Sequence, residues 1–369
     1  MRSLIRKDLT ELFTARAFWL VLIATTLLVT QAYVDATRTY AEVKEVLPSL
    51  DGIVTPTAAA YDLAIMLLFP FVAIRLVASE KSSDALKLML QWPFKMRHHI
   101  ASKVIALLVA WVISLIPFAI AMMLWRGKLD AAEVFNVIGG YTLRYLLTMS
   151  IAMAAAAVMP GAANAAVVVL AFTIGTWALD FMALGRGGWM QRAASFTPAA
   201  VLRTFERGLL RIDVVLVMLT ITVLALAIAA IFLRLGRPRA LKTIGAIFVA
   251  AFAIVLAANV RASFDVSSNR RNSFAPADAA RLAQIKEPLT ITVYLSAEDP
   301  RMMDFENGPL LKLRRTMPHL RVVYPFGGRS TLFENDDRYG TIEYRLGAKT
   351  AVSRSTIEEV VLETIYGLR

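Results

Sequence analysis

The side chains best suited to chemistry are few and poorly grouped. The histidines are His98, His99 and His319, and the chain has no cysteine. Disulfides, thiolate metal sites and cysteine nucleophiles are therefore excluded. His98 and His99 are adjacent, and neighbours in a helix point about 100° apart, a poor arrangement for chelating one metal. Glycines cluster in Gly327-Gly328-Arg329-Ser330, but the tetrapeptide lacks the spacing and the lysine of a phosphate loop, and no GxxxxGK[ST] occurs elsewhere. No Ser/His/Asp set can be assembled. No catalytic, cofactor-binding or metal-binding residue is expected, so any work across a membrane draws its energy from a partner or a gradient.

The remaining candidates are charges inside apolar runs. The chain is 57% hydrophobic and 18% charged, with a mean hydropathy of +0.59, whereas soluble domains carry about 25% charged residues. A net charge of +12 raises the question of nucleic acid. Much of the Lys and Arg flanks apolar runs, which reads instead as basic membrane flanks and a lipid partner. A hydrocarbon core about 30 Å thick needs roughly 20 apolar residues in a helix. Seven stretches qualify: 18–34, 58–78, 105–124, 137–159, 163–183, 214–233 and 244–260. Asp62, Arg75, Arg144 and Asp180 sit within them, and such residues are costly in lipid. Arg75 lies near a span end and can snorkel. Arg144 is expected to pair with a carboxylate, Asp180 first and Asp62 second, to fix helix packing or to contact substrate. The fourth and fifth spans meet at Met159-Pro160-Gly161 amid alanines, so they are expected to pack as a close hairpin.

The charge distribution sets an orientation. Arg2, Arg6, Lys7 and Arg16 precede span one, and basic residues also crowd the segments between spans two and three and between six and seven. All three fall on the cytoplasmic side if the N-terminus is there. Acidic Asp8 and Glu11 in the leader favour a retained anchor over a signal peptide. The segment with Arg186, Arg192, Arg203, Arg207 and Arg211 breaks the rule, facing outward. An odd number of spans then places the tail outside the cytoplasm.

From residue 261 the composition changes. Segment 289–295 alternates like a strand, 310–317 reads as a short helix, and 320–324, 341–346 and 350–353 read as further strands. Ser355 or Thr356 is expected to cap a final helix through residue 368, with Glu358 and Glu359 in its first turn. The order β-α-β-β-β-α points to a small α/β domain. A thioredoxin-like fold fits that order, without redox chemistry.

Three patterns together resemble an ABC-2 type transporter permease. Segment 1–17, basic and amphipathic, looks like the interfacial elbow helix of that family. Segment 75–103 resembles its cytoplasmic connection, with Glu80, Leu86, Leu90, Pro93 and Lys103 on the pattern and Asp84-Ala85 where the family has Gly-Thr. Segment 196–214 looks like the outward stretch before the last permease helix, through Arg207-Gly208 and Asp213-Val214, which accounts for the outward arginines. The tail resembles the auxiliary protein of gliding-motility type ABC transporters. That resemblance runs through Phe264-Asp265-Val266, Asn272-Ser273-Phe274-Ala275-Pro276, the run 287–295, Tyr339-Gly340 and Thr356-Ile357-Glu358-Glu359, in a shortened form.

The resemblance implies an elbow helix over 1–17, a six-helix permease domain over 18–233, a basic linker and seventh span over 234–260, and an extracytoplasmic auxiliary domain over 261–369. It implies a permease subunit of an inner-membrane exporter, without an ATPase site of its own. Two separate ATP-binding cassette subunits would supply ATP hydrolysis, and a second permease copy or homologue would complete the pore. Glu80, Leu86, Leu90, Trp92 and Pro93 become coupling residues rather than catalytic ones. Two other readings remain: a membrane-anchored sensor or scaffold that needs no ATPase, and a gradient-driven transporter, for which no inverted repeat is evident.

Overall fold

The computed structural model describes the whole chain except residues 44–47, 84–95, 126–128, 184–188, 235–238, 261, 269, 297–298, 318 and 327–336. Leu86, Leu90, Trp92 and Pro93 lie outside the described residues, as does Gly327-Gly328-Arg329-Ser330. Among the described residues, seven helices are long and apolar enough to cross a membrane, and the chain divides into two units, residues 1–175 with 201–262 and residues 176–200 with 263–369.

The first unit begins with the helix α1 (Arg2–Thr14), which buries Leu4, Asp8 and Leu12 on one face. That i, i+4, i+8 spacing is the stripe of a helix lying on a neighbour. Ala15 adopts an extended conformation (ψ 116°) and ends it. The long helix α2 (Arg16–Glu42) follows at once. The second span, α3 (Leu50–Ser82), starts eight residues before the expected position 58. It contains two π-helical turns, Leu50–Val54 and Ala64–Leu68. Pro70 explains the second turn: it has no N–H and its ring crowds the carbonyl four residues back, so the ladder widens there. Span three, α4 (Met96–Trp125), is interrupted between Ser114 and Ile116, next to Pro117. Tyr61 fills the gap by donating its hydroxyl to the Ser114 carbonyl at 2.6 Å.

The fourth span, α5 (Ala131–Val158), is the most buried of the seven. Asp130 caps it, accepting from the Ala132 N–H at 2.8 Å. The close hairpin expected with the fifth span, α6 (Ala162–Met182), is not what forms. Helix α5 instead packs most extensively against α3 and the sixth span, α9 (Ile212–Leu233). Alanines 152, 155, 156 and 157 are buried, whereas α6 buries only Ala165, Val169 and Thr173. The reason lies at the turn. Met159 is extended (ψ 149°), and the Lys81 ammonium reaches to the carbonyls of Ala157 (3.0 Å) and Met159 (2.6 Å). The seventh span is α10 (Arg239–Ala258), which packs against α9.

Between the fifth and sixth spans lie the short helices α7 (Trp189–Ala194) and α8 (Pro198–Glu206) and the strand β1 (Leu209–Arg211). A Cβ on Gly140 of α5 would come within 2.6 Å of the Phe205 Cβ, so glycine there permits α8 to close on α5.

The second unit carries a sheet with its own core. After β2 (Ser263–Asp265) come α11 (Pro276–Ala283), β3 (Leu289–Val293), α12 (Pro300–Asn307), α13 (Pro309–Thr316), β4 (Leu320–Val323), β5 (Ile342–Leu346), β6 (Lys349–Ser353) and α14 (Glu358–Gly367). Helices α11 and α12 were not expected from the sequence. The sheet order is β4-β3-β5-β6. Strand β3 pairs parallel with β4 and antiparallel with β5, with Ile291 opposite both Val322 and Tyr344. Leu289, Ile291 and Val293 point into a core with Phe305, Leu310 and Ile365. The expected Ser355 or Thr356 cap shifts: Ile357 takes the N-cap position without a side-chain bond. Ser355 Oγ accepts from the Ile357 N–H just ahead of it at 3.2 Å.

Candidate functional site: a buried charge cluster beneath the N-terminal helix

The face of α1 that buries Leu4 and Leu12 also buries Asp8, at 1% exposure. A carboxylate at such a position needs partners, and two other elements supply them. The end of α3 brings Ser79 and Glu80; the start of α4 brings His99, Ser102 and Lys103, one turn of helix. Lys103 is fully buried. Its ammonium lies 3.2 Å from Asp8 Oδ1, 2.9 Å from Glu80 Oε1 and 2.8 Å from the Leu76 carbonyl. The ammonium therefore hydrogen-bonds Asp8 and the Leu76 carbonyl and pairs ionically with Glu80. Ser102 Oγ donates to Asp8 Oδ2 at 2.5 Å. Lys7 donates to Glu80 Oε1 from the other side and lies 3.7 Å from Glu11 Oε2. Ser79 donates to Glu11 Oε1 at 2.7 Å. His99 Nε2 approaches Glu80 Oε2 to 3.0 Å as an ion pair when protonated, though off a hydrogen-bonding line.

Glu80 and Lys103 are thus brought together by the fold. The other members, Lys7, Asp8, Glu11, Ser79, His99 and Ser102, were missed by sequence reasoning. The signal for Asp8 was present: it stands between Leu4 and Leu12 on the apolar stripe. Oxygens of Asp8, Glu11 and Glu80 lie within 4.8 Å of one another, but the ammonium groups of Lys7 and Lys103 already occupy the position a cation would take. The cluster ties α1 to both helices that flank residues 84–95. Buried pairs of this kind are expensive to break, about 3–5 kcal/mol when one partner is removed.

A second polar group lies within the bundle. Arg144 of α5 pairs with Asp62 of α3, Nη2 to Oδ1 at 2.6 Å. The partner is Asp62, the second of the two carboxylates expected from the sequence, and not Asp180, which belongs to the second unit. Nearby, Tyr141 donates to Glu206 Oε1 at 2.8 Å, and Asn136 donates to the Phe205 carbonyl at 2.7 Å. Burial pushes the Glu206 carboxyl above its ordinary range, against the hydrogen bond from Tyr141 and the charges of Arg144 and Arg203. Burial lowers Arg207. Gly208 turns the chain with φ +76°, a region that favours glycine. Asp213 sits in the first turn of α9, where the helix dipole favours an acid, and Arg211 clamps it through Nη2 at 2.5 Å and Nε at 3.2 Å.

Comparisons with protein families, with curated proteins and with solved structures found no match.

Proposed function

We propose that the chain is the permease subunit of an ATP-binding cassette exporter, working as a dimer with a second copy or homologue and two separate ATPase subunits. The observation that carries this reading is the joint beneath α1. Lys103, Glu80 and Asp8 join the N-terminal amphipathic helix to the end of span two and the start of span three. A partner that pushes on residues 84–95 or on α1 therefore moves both spans together. ATP is bound and hydrolysed by the partner, not by this chain. The basic flanks support a cytoplasmic N-terminus at an inner membrane, and with seven spans the tail then falls on the far side. A thioredoxin-like reading of that tail is supported by its sheet, in which a parallel pair joined through two helices is followed by two antiparallel strands and a C-terminal helix.

The test is co-purification of the full chain in mild detergent, with identification of the bound ATPase. Leu90→Ser with Trp92→Ser leaves every charge in place. The double variant is expected to lose the ATPase while keeping its bound anionic lipid. Unchanged ATPase recovery and unchanged substrate-coupled hydrolysis would overturn the coupling role.

A further inference from the structure

Where α6 splays away from α5, a cavity of about 560 Å³ opens between α3, the end of α5 and the start of α6. Its volume lies within the range of small-molecule sites, roughly 300–1,000 Å³. Phe71, Ile74, Ala78, Ala163 and Ala166 give it apolar walls, and Arg75 and Lys81 supply its charge. No carboxylate is among its described lining residues. The two cations differ. Lys81 is committed to the carbonyls of Ala157 and Met159. Arg75 is exposed and makes no hydrogen bond or ion pair among the described residues. It stands seven residues before the end of α3, about 10 Å along the axis, on the same end of the bundle as α1. Phe71, Arg75, Ser79 and Ser82 follow one another on one face of α3, since residues spaced by three or four share a face.

We propose that this cavity is a binding site for an anionic phospholipid of the leaflet on the N-terminal side. An uncompensated guanidinium in an apolar-walled recess between membrane-length helices calls for a ligand with an anion and an apolar chain in one molecule. A membrane phospholipid has both. Its phosphate meets Arg75, and an acyl chain runs along Phe71 and Ala166. The absence of a lining carboxylate favours a net-negative headgroup over one that carries its own amine. This inference stands independently of the transport reading.

The experiment is native mass spectrometry of the full chain in detergent, titrated with phosphatidylglycerol, with phosphatidylcholine and with inorganic phosphate. The wild type is expected to bind phosphatidylglycerol more tightly than phosphatidylcholine. Arg75→Gln is expected to weaken phosphatidylglycerol about fivefold, the worth of one basic side chain near the membrane surface, and Arg75→Lys to recover most of it. Arg97→Gln, at an exposed position in the first turn of α4, is expected to change binding less than twofold. Equal binding of the two lipids, or equal losses in Arg75→Gln and Arg97→Gln, overturns the site in favour of general surface attraction. Displacement of the lipid by equimolar phosphate overturns it in favour of a free-anion site. Ala163→Trp fills the recess without touching a charge, so it serves if Arg75→Gln fails to fold. It is expected to abolish the preference for phosphatidylglycerol, and a retained preference refutes the proposal.

Discussion

Lys103→Met tests whether the joint beneath α1 acts as one unit. In the wild type, two ammonium groups, Lys7 and Lys103, face three carboxylates, Asp8, Glu11 and Glu80. Removing the Lys103 ammonium leaves Asp8 and Glu80 buried with one cation between them, and strips the Leu76 carbonyl of its donor. The expected cost is about 3–5 kcal/mol. Glu80→Gln alone keeps both cations opposite two carboxylates and loses charge-assisted hydrogen bonds, worth about 1.5–3 kcal/mol. The double variant should cost less than the sum. With Glu80 neutral, the missing ammonium has one fewer buried anion to compensate.

The assay is reversible unfolding of the purified full chain in mixed micelles, with far-ultraviolet circular dichroism as the readout for wild type, both single variants and the double. A coupling of about 2 kcal/mol is expected between the two positions. Additivity within about 0.5 kcal/mol, the behaviour of independent sites, refutes the joint. So does a Lys103→Met cost below about 1 kcal/mol, because a fully buried ammonium cannot leave so cheaply if it neutralises two carboxylates.

Two further outcomes are expected in the bundle. Arg144→Asp should lower the yield of folded protein by size-exclusion chromatography, and adding Asp62→Arg should restore part of it while adding Asp180→Arg should not; rescue by the Asp180 change instead would show that the pair is misassigned. Glu206 has a folded pKa raised above its unfolded value, so its contribution to stability is full below the ordinary carboxylate range and is lost as pH rises through the folded pKa. Glu206→Gln keeps an acceptor for Tyr141 and should therefore be more thermally stable than wild type near pH 8, with the difference shrinking toward pH 5; a constant difference across that range would contradict the assignment.

The spans were legible because run length and hydropathy report directly on the bilayer, and the tail strands because β3 alternates buried and half-buried side chains along its length. What was lost concerns direction around a helix axis. Runs of alanine announce close packing without naming the neighbour, and here α5 chose α9 and α3 over the adjacent α6. Asp62 and Asp180 are both acids within apolar runs, and nothing local to either states which one faces Arg144. The early start of α3 was hidden because 50–57 mixes Asp51, Gly52 and Pro56 with apolar residues. The joint itself was half legible. Glu80 and Lys103 stood out by resemblance to a family pattern, while Asp8 served only as an argument against a signal peptide. Its position on the stripe of α1 was the better clue, since an acid on a buried face demands a cation from elsewhere in the chain.

The two charged groups also explain each other's placement. Eighteen residues separate Asp62 from Glu80 on α3, about 27 Å of helical rise, close to the thickness of a hydrocarbon core. One end of that length is held by Arg144 on α5 and the other by Lys103 on α4 and Lys7 on α1. Both attachments are ionic and have desolvated arginine or lysine on one side, so neither can slide by a fraction of a turn without exposing a buried charge. Such contacts favour discrete positions over a continuum. Helix α3 is thereby tied to its neighbours at both ends of that length.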